Sequence, residues 1–429
     1  MNNLDLAVWF FLQIAVILVV CRIVGVIAIR FGQPQVVAEM VAGVVLGPSV
    51  FGLLLPQWQD WLFPWDPTQT TRDTQSYLFP ASQLGLALYM FIVGMEFRIE
   101  IVRRYWKSSL AVSAAGMVVP FILGGALAWL FYHHTGLFEA KTSLYEAMLF
   151  LGASMCITAF PMLARIIHFK GLAGTRMGTV AIGAGAIDDA TAWCLLALVL
   201  TSFDGDPTHA IGSIAGGLGF LLIAMGVVRP LFARCHFLFV NRQGEVSELG
   251  LVVALTAMAL GAWFTDMIHL HAVFGAFVMG TTIPRGQIQE QITARIQPLV
   301  VALLLPLFFT YSGLNTKIGL LNTWALWGAC GLVLLVAIVG KGVACWGAAR
   351  ATGIPHREAL GIGTLMNARG LMELIIINIG LQRGIISAEL FAALVIMAIV
   401  TTLMASPIFE WLVRERANQP GFSSDVKPN

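Results

Sequence analysis

Two adjacent carboxylates, Asp188 and Asp189, lie in the middle of an apolar run over about 177–200. Gly183-Ala184-Gly185-Ala186-Ile187 precedes them and Ala190-Thr191-Ala192-Trp193 follows. A run of that length can span a bilayer, which takes roughly 20 apolar residues. The pair then falls near the midplane, where each charge costs about 2.5–3.5 kcal/mol on insertion scales. Acids kept at that depth mark ion or proton pathways by default. The chemistry open to them is reversible. A carboxylate can hold a proton, or it can hold a hard monovalent cation, which wants oxygen ligands as hard divalent ions do. Burial and a like neighbour favour the protonated form of a carboxyl, and a nearby lysine favours the ionised form. A proton and a cation competing for the same oxygens, at a site reached from alternate sides, amount to exchange. The two carboxyls would titrate as a unit.

Few other charges lie as deep. Lys341 sits in Ile338-Val339-Gly340-Lys341-Gly342, and Arg369 and Glu373 share one later run. A buried lysine must pair or lose its proton, and Asp188 or Asp189 is the available partner. Arg369 and Glu373 are four apart and can pair on one helix face, a structural arrangement. Glu39 lies near the end of the second span, where water is expected to reach it. His269 and His271, with only Asp266 close by, read as ordinary structural histidines. No phosphate-binding glycine loop with its lysine, no zinc spacing and no nucleophile–base motif is present. The chain is not read as an enzyme, and no cofactor is expected.

The elements that must position these groups are membrane spans. Of 429 residues, 58% are hydrophobic and only 11% charged, against about 25% charged in a soluble globular chain. The expected class is an all-α polytopic membrane protein of about thirteen spans. They run near 6–25, 35–54, 81–97, 108–131, 145–166, 177–201, 211–232, 247–265, 270–284, 297–314, 322–349, 358–381 and 387–413. The six cysteines have neither paired nor metal-type spacing, so no disulfide framework is implied. Met1 to Asp5 lacks the basic region and cleavage site of a signal peptide, and the first span is expected to remain. The loop at 55–78 carries Trp58, Trp61 and Trp65, and tryptophan favours the membrane surface.

Lys and Arg between the spans fall on one side, apart from Arg72, Lys141, Lys317 and Arg383. The positive-inside rule puts the basic side in the cytoplasm. The N-terminus is then outside and the C-terminus cytoplasmic, which demands an odd number of spans.

An internal repeat is visible. Leu88-Tyr89-Met90-Phe91-Ile92-Val93-Gly94-Met95-Glu96-Phe97-Arg98-Ile99 matches Leu307-Phe308-Phe309-Thr310-Tyr311-Ser312-Gly313-Leu314-Asn315-Thr316-Lys317-Ile318 at its leucine, glycine and basic-Ile positions. Ala42-Gly43-Val44-Val45-Leu46-Gly47 resembles Gly275-Ala276-Phe277-Val278-Met279-Gly280 more weakly. Span two thus pairs with nine and three with ten. Partners lie an odd number of spans apart, so the halves are inverted, as in many secondary transporters. The expected organisation is a first half over 1–204, a linker helix and loop over 205–245, a second half over 246–415 and a short polar tail over 416–429. Span five should then pair with twelve, and both are interrupted. Span five holds Thr158-Ala159-Phe160-Pro161, where Pro161 cannot donate to the Ile157 carbonyl. Span twelve holds Gly361, Gly363 and Asn367-Ala368-Arg369-Gly370. Broken helices at matching positions of two halves point to a transporter's binding site.

Several of these stretches also carry a family resemblance. They are Gly32-Gln33-Pro34 with Gly43-Val44-Val45-Leu46-Gly47-Pro48-Ser49, Phe91-Ile92-Val93-Gly94-Met95-Glu96, and Thr158 to Arg165. Ala186-Ile187-Asp188-Asp189, Gly340-Lys341 and Leu365 to Leu374 complete the set. In these residues the chain resembles the second branch of the monovalent cation/proton antiporter superfamily. That branch includes plant cation/proton exchangers and bacterial sodium or potassium/proton antiporters. The resemblance implies an NhaA-like fold with two inverted repeats and crossed broken helices, a six-helix core and a second domain forming a homodimer. It implies that Asp189 binds the ion and the proton in turn and that Asp188 assists or pairs with Lys341. Thr158 and backbone carbonyls near the break would complete a transient Na+ or K+ site. Some members carry Asn where this chain has Asp188. The expected partners are a monovalent cation, protons, the bilayer and a second copy of the chain; nucleic acid is not expected. A sodium-coupled organic-anion symporter of similar fold is a rival, against which the acidic pair argues. A potassium-efflux system or channel and a non-transporting sensor are others.

The charge asymmetry makes the loop at 98–107 and the C-terminal tail cytoplasmic and the Trp58–Trp65 loop external. Single cysteines placed in each, probed with a membrane-impermeant thiol reagent on intact cells, should label only in the tryptophan loop. Labelling of the tail from outside would overturn this topology.

Overall fold

A computed structural model describes residues 3–31, 33, 35–63, 75–96, 105–172, 175–203, 207–241, 243–268, 270–314, 316 and 318–414. Within them the chain is helical, with only two isolated β-bridges, Phe138 to Ile386 and Val240 to Val246. A bilayer interior offers no water to backbone polar groups, so each crossing segment must satisfy its own. Nine helices among the described residues are long and apolar enough to cross a membrane. Leu144–Cys156 and Ala272–Thr282 are shorter apolar helices.

In chain order the helices are α1 (Asn3–Arg30), α2 (Gln35–Leu46), α3 (Gln75–Glu96), α4 (Trp106–His134), α5 (Leu144–Cys156), α6 (Phe160–Phe169) and α7 (Arg176–Phe203). Then come α8 (207–234, through a π-helical turn), α9 (Glu248–Met267), α10 (Ala272–Thr282) and α11 (287–314, through a second π-helical turn). The last four are α12 (Trp324–Ala351), α13 (His356–Leu365), α14 (Leu371–Gln382) and α15 (Ala388–Arg414). A short helix, Pro56–Leu62, carries Trp58 and Trp61, and both indoles are exposed. Trp65 lies outside the described residues.

Several boundaries differ from the sequence expectation: α1 runs on to Arg30 rather than 25, and α2 stops at Leu46 rather than 54. α3 begins at Gln75 rather than 81, with Pro80 in its second turn. α11 begins at 287 rather than 297, because the polar stretch Gln287–Ile296 continues the helix below the apolar segment. Apolar windows cannot detect such an extension. Glu39 also departs from expectation. It is 1% exposed, because α2 packs against α1, α11 and α15 together.

The packing sorts the helices into two groups, each drawing on both halves of the sequence. One joins α1, α2, α3, α9, α10 and α11; the other joins α4 to α7 and α12 to α15. Within the first, glycines let backbones touch. A Cβ on Gly94 of α3 would overlap the Phe277 carbonyl of α10, and one on Gly280 would overlap the Phe91 carbonyl of α3. In parallel fashion, a Cβ on Gly43 of α2 would overlap the Phe309 carbonyl of α11, and one on Gly313 would overlap Gly43. Gly94 corresponds to Gly313, and Gly47 to Gly280, in the repeat read from the sequence. Each member of a repeat pair therefore packs against the other pair's partner, and the contact occurs twice. The second group shows its own close crossing, where a Cβ on Gly340 of α12 would lie 2.9 Å from Leu123 Cδ1 of α4.

Both expected interruptions are present. α5 starts with a capping box, Ser143 with Glu146, and stops at Cys156. Residues 157–159 are not helical, and α6 resumes at Phe160. Pro161 is the second residue of α6, a position where a missing amide hydrogen costs nothing. α13 stops at Leu365 and α14 resumes at Leu371. The two breaks meet: the Ala159 N–H donates to the Ala368 carbonyl at 3.2 Å.

The glycine contacts set a stability contrast. Gly313→Ala should lose about 1–3 kcal/mol by overpacking against backbone, read as a lower melting midpoint in detergent. Gly331→Ala, with nothing within 4 Å of its Cβ position, should gain up to about 1 kcal/mol from helix propensity. Equal losses at both would refute the close-approach account.

Candidate ion and proton site

α7 is apolar nearly throughout and carries Asp188 and Asp189 near its centre, 0% and 1% exposed. The breaks in α5/α6 and α13/α14 surround this region. The end of α5 poses the first electrostatic problem. The last carbonyls of any helix lack intrahelical donors and carry partial negative charge. Here they are met by two cations. Arg369, in the opposite break, donates from Nη1 to the Ser154 carbonyl at 3.2 Å and from Nη2 to the Met155 carbonyl at 2.6 Å. Lys341 of α12 donates from Nζ to the Cys156 carbonyl. Both side chains are fully buried.

Each cation has a counter-ion. Arg369 Nη1 lies 3.2 Å from Glu373 Oε1, the four-apart pair expected from the sequence. Its backbone N–H donates to Thr402 Oγ1 at 3.1 Å, tying the break to α15. Lys341 Nζ lies 3.6 Å from Asp188 Oδ2, so Asp188 is its partner. The same oxygen accepts from Thr158 Oγ1 at 2.5 Å. Ser113 of α4 approaches Asp188 as well.

Asp189 differs. Among the described residues, neither of its carboxyl oxygens has a hydrogen-bond partner, and Asp188 Oδ1 has none. Left ionised and unpartnered at that depth, the Asp189 carboxyl would be costly. Its oxygens, Asp188 Oδ1 and the Thr158 oxygen are hard ligands of the kind that alkali cations accept.

The structure thus gathers Asp188, Asp189, Thr158 and Lys341 and places Arg369 and Glu373 behind them. Asn367 is used otherwise. Its amide nitrogen bonds the Gly363 carbonyl at 3.2 Å and the Ile338 carbonyl at 3.4 Å, bracing α13 against α12. Pro161 opens α6; its side chain lies outside the described residues. The last three carbonyls of α5, those of Ser154, Met155 and Cys156, accept from Arg369 and Lys341; the resemblance implies only that backbone carbonyls near the break serve the ion. Sequence reasoning missed Ser113, Thr402 and the reach of Arg369 to α5, and no local signal marks them. His271 caps α10, its Nδ1 accepting from the Val273 N–H at 3.4 Å; His269 lies outside the described residues.

Comparison with known proteins agrees with this architecture. Residues 8–415 match the family model described as sodium/hydrogen exchanger, transmembrane. The Na(+)/H(+) antiporter NhaS4 of Synechocystis is 38% identical over 92% of this chain and 95% of its own length. The K(+)/H(+) antiporter 1 of Saccharomyces cerevisiae is 32% identical over 93% of this chain, which spans 46% of the yeast protein. The sodium proton antiporter MjNhaP1 of Methanocaldococcus jannaschii has a similar fold, with a TM-score of 0.68, 15% identity and full coverage of both chains.

Removing Lys341 strands Asp188 and the Cys156 carbonyl together. Lys341→Ala should cost roughly 3–5 kcal/mol, the usual result of breaking a buried pair from one side. The double variant Lys341→Met/Asp188→Asn should recover a large part of that loss, since replacing both partners is often near neutral. Thermal melting of Lys341→Met, Asp188→Asn and the double variant completes a double-mutant cycle. Strictly additive losses would dissolve the pair.

Proposed function

The chain belongs to the sodium/hydrogen exchanger family of membrane antiporters, and on that premise we propose that it exchanges a monovalent cation for protons at Asp189. The observation that carries the reading is the unpartnered, buried Asp189 carboxyl beside a neighbour already engaged by Lys341 and Thr158. Asp189 holds a proton in one half-cycle and Na+ or K+ in the other. Asp188 and Thr158 lend oxygens to the cation, while Lys341 fixes the charge of Asp188. Arg369 and Glu373 hold the broken helices in register and do not bind the cargo. Names borne by relatives cover both cations, Na+ in Synechocystis and K+ in yeast.

Alternating access fits the division into two helix groups. The group carrying the site would move against the glycine-packed group, which would pair with a second copy as a homodimer. Polar contacts across the seam are few and exchangeable. Asn378 donates to Ser312 Oγ at 3.1 Å, Gln382 to Tyr311 OH at 3.3 Å, and Gln33 to the Leu403 carbonyl at 2.9 Å. Thirteen crossings with an external N-terminus and a cytoplasmic C-terminus complete the reading. In it, the broken pairs α5/α6 and α13/α14 each count as one crossing.

Asp189→Asn keeps shape but cannot ionise. Cation-dependent proton flux in proteoliposomes should vanish while the variant melts as a folded protein. Asp188→Asn should retain part of the flux, with altered charge movement per cycle. In the unsubstituted protein, competition demands that apparent cation affinity weaken about tenfold per pH unit below the pKa of the group, one unit being about 1.4 kcal/mol of proton binding. Above it the affinity should level off. Robust exchange by Asp189→Asn, or an affinity indifferent to pH throughout, would sink the single-site mechanism.

A further inference from the structure

A concavity lies between α12, α13 and α15. It encloses about 460 Å³. Ile338 and Val343 of α12, Leu360 and Thr364 of α13, and Met404 and Ile408 of α15 form its walls. Val339 and Val343 stand 48% and 55% exposed along its open side. In a membrane-spanning chain that side opens to hydrocarbon. At the inner end stands Asn367, in the break itself. The α12 and α13 backbones approach closely there, since a Cβ on Gly363 would lie 2.5 Å from the Gly342 carbonyl.

The outer end is chemically different. Trp346 forms the rim, its indole N–H donating to His356 Nδ1 at 3.3 Å. The last turn of α12 carries Arg350 and the first turn of α13 carries Arg357, both exposed. Arg350 donates to the Ile354 carbonyl at 2.9 Å. Neither arginine has an acidic partner among the described residues. The nearby carboxylate, Glu358, is already held by Arg176 in a two-pronged bridge at 2.9 and 3.0 Å. An apolar slot running from mid-membrane to an indole rim and two exposed guanidinium groups has the polarity of one lipid molecule. Tryptophan favours the headgroup level, and arginine takes phosphate in paired hydrogen bonds.

We propose that this slot binds an anionic phospholipid, with an acyl chain between α12, α13 and α15 and the phosphate at Arg350 and Arg357. The seated chain ends against Asn367, two residues from Arg369, so occupancy supports the break that caps α5. The proposal rests on the membrane placement of the chain and not on its transport chemistry, so it can fail while cation/proton exchange stands.

The test uses the full chain in detergent with phosphatidylglycerol or phosphatidylcholine added, read by native mass spectrometry and by melting. Phosphatidylglycerol should be retained preferentially and raise the melting midpoint more than phosphatidylcholine. Arg350→Gln/Arg357→Gln should weaken phosphatidylglycerol binding roughly 30-fold, at about 1 kcal/mol per basic residue near a headgroup. Phosphatidylcholine, whose phosphate is balanced by its own choline, should lose less. Val343→Trp, which fills the slot from its exposed side, should reduce retention of both lipids with the arginines intact. If the double variant does not fold, Arg357→Gln alone carries the test, with a roughly fivefold loss expected. Equal shifts by the two lipids, a preference that survives loss of the arginines, or full retention by Val343→Trp would overturn the site.

Discussion

A helix that ends inside hydrocarbon leaves carbonyls with no water to turn to. Much of the site's arrangement follows from how the end of α5 is satisfied. Arg369 and Lys341 take the carbonyls of Ser154, Met155 and Cys156. Those cations are themselves buried and need anions, which Glu373 and Asp188 supply. Around the two breaks there are thus two fixed cations and three carboxyls. Two carboxyls are consumed in keeping the broken helix viable, and the third, Asp189, is left over. Under the proposed mechanism the uncompensated group is the one that exchanges its occupant. An ion site here is the remainder of a structural charge balance as much as a set of ligands.

The same balance explains why the two breaks need each other. Arg369 belongs to the second break and satisfies the first, and the Ala159 N–H of the first donates to the Ala368 carbonyl of the second. Neither interruption would be tolerable alone at that depth. Within the other helix group the backbones approach closely at Gly43, Gly94, Gly280 and Gly313. Apolar association gains little in lipid, so close packing of small residues must hold such helices together. One group is tied by glycine contacts and the other by buried charge. Each hydrogen bond named across their seam contributes about 0.5–1.5 kcal/mol.

The parts of this architecture legible in the sequence are those marked by contrast with an apolar background. Asp188, Asp189 and Lys341 stand out because charge is rare at that depth, and the breaks stand out because proline and clustered glycines interrupt long runs. Arg369 with Glu373 was readable as a local pair because helix spacing reports on neighbours four apart. Its larger role was not readable, since the carbonyls it serves lie over 200 positions earlier and carry no side-chain signature. Glu39 was misjudged for a related reason: its burial depends on α11 and α15, which no pattern within α2 reveals. The start of α11 was lost because hydropathy detects the membrane, and this helix continues beyond the apolar stretch.

Adjacency of the two acids also has a geometric meaning. Neighbours in a helix are turned about 100° apart, so consecutive side chains cannot share one environment. Asp188 turns toward Thr158 and Lys341 and is engaged through a single oxygen. Asp189, one step on, meets no donor among the described residues. The doublet is therefore two sites with different surroundings, placed by helical rotation on either side of the same seam of charge. This accounts for a family resemblance in which the first position admits Asn. An amide at 188 could still accept from Thr158, although it would leave Lys341 to the Cys156 carbonyl alone. At 189 the neighbouring negative charge, Asp188, is already engaged by Lys341 and Thr158, so under the proposed mechanism the second acid of the doublet is the one that exchange requires.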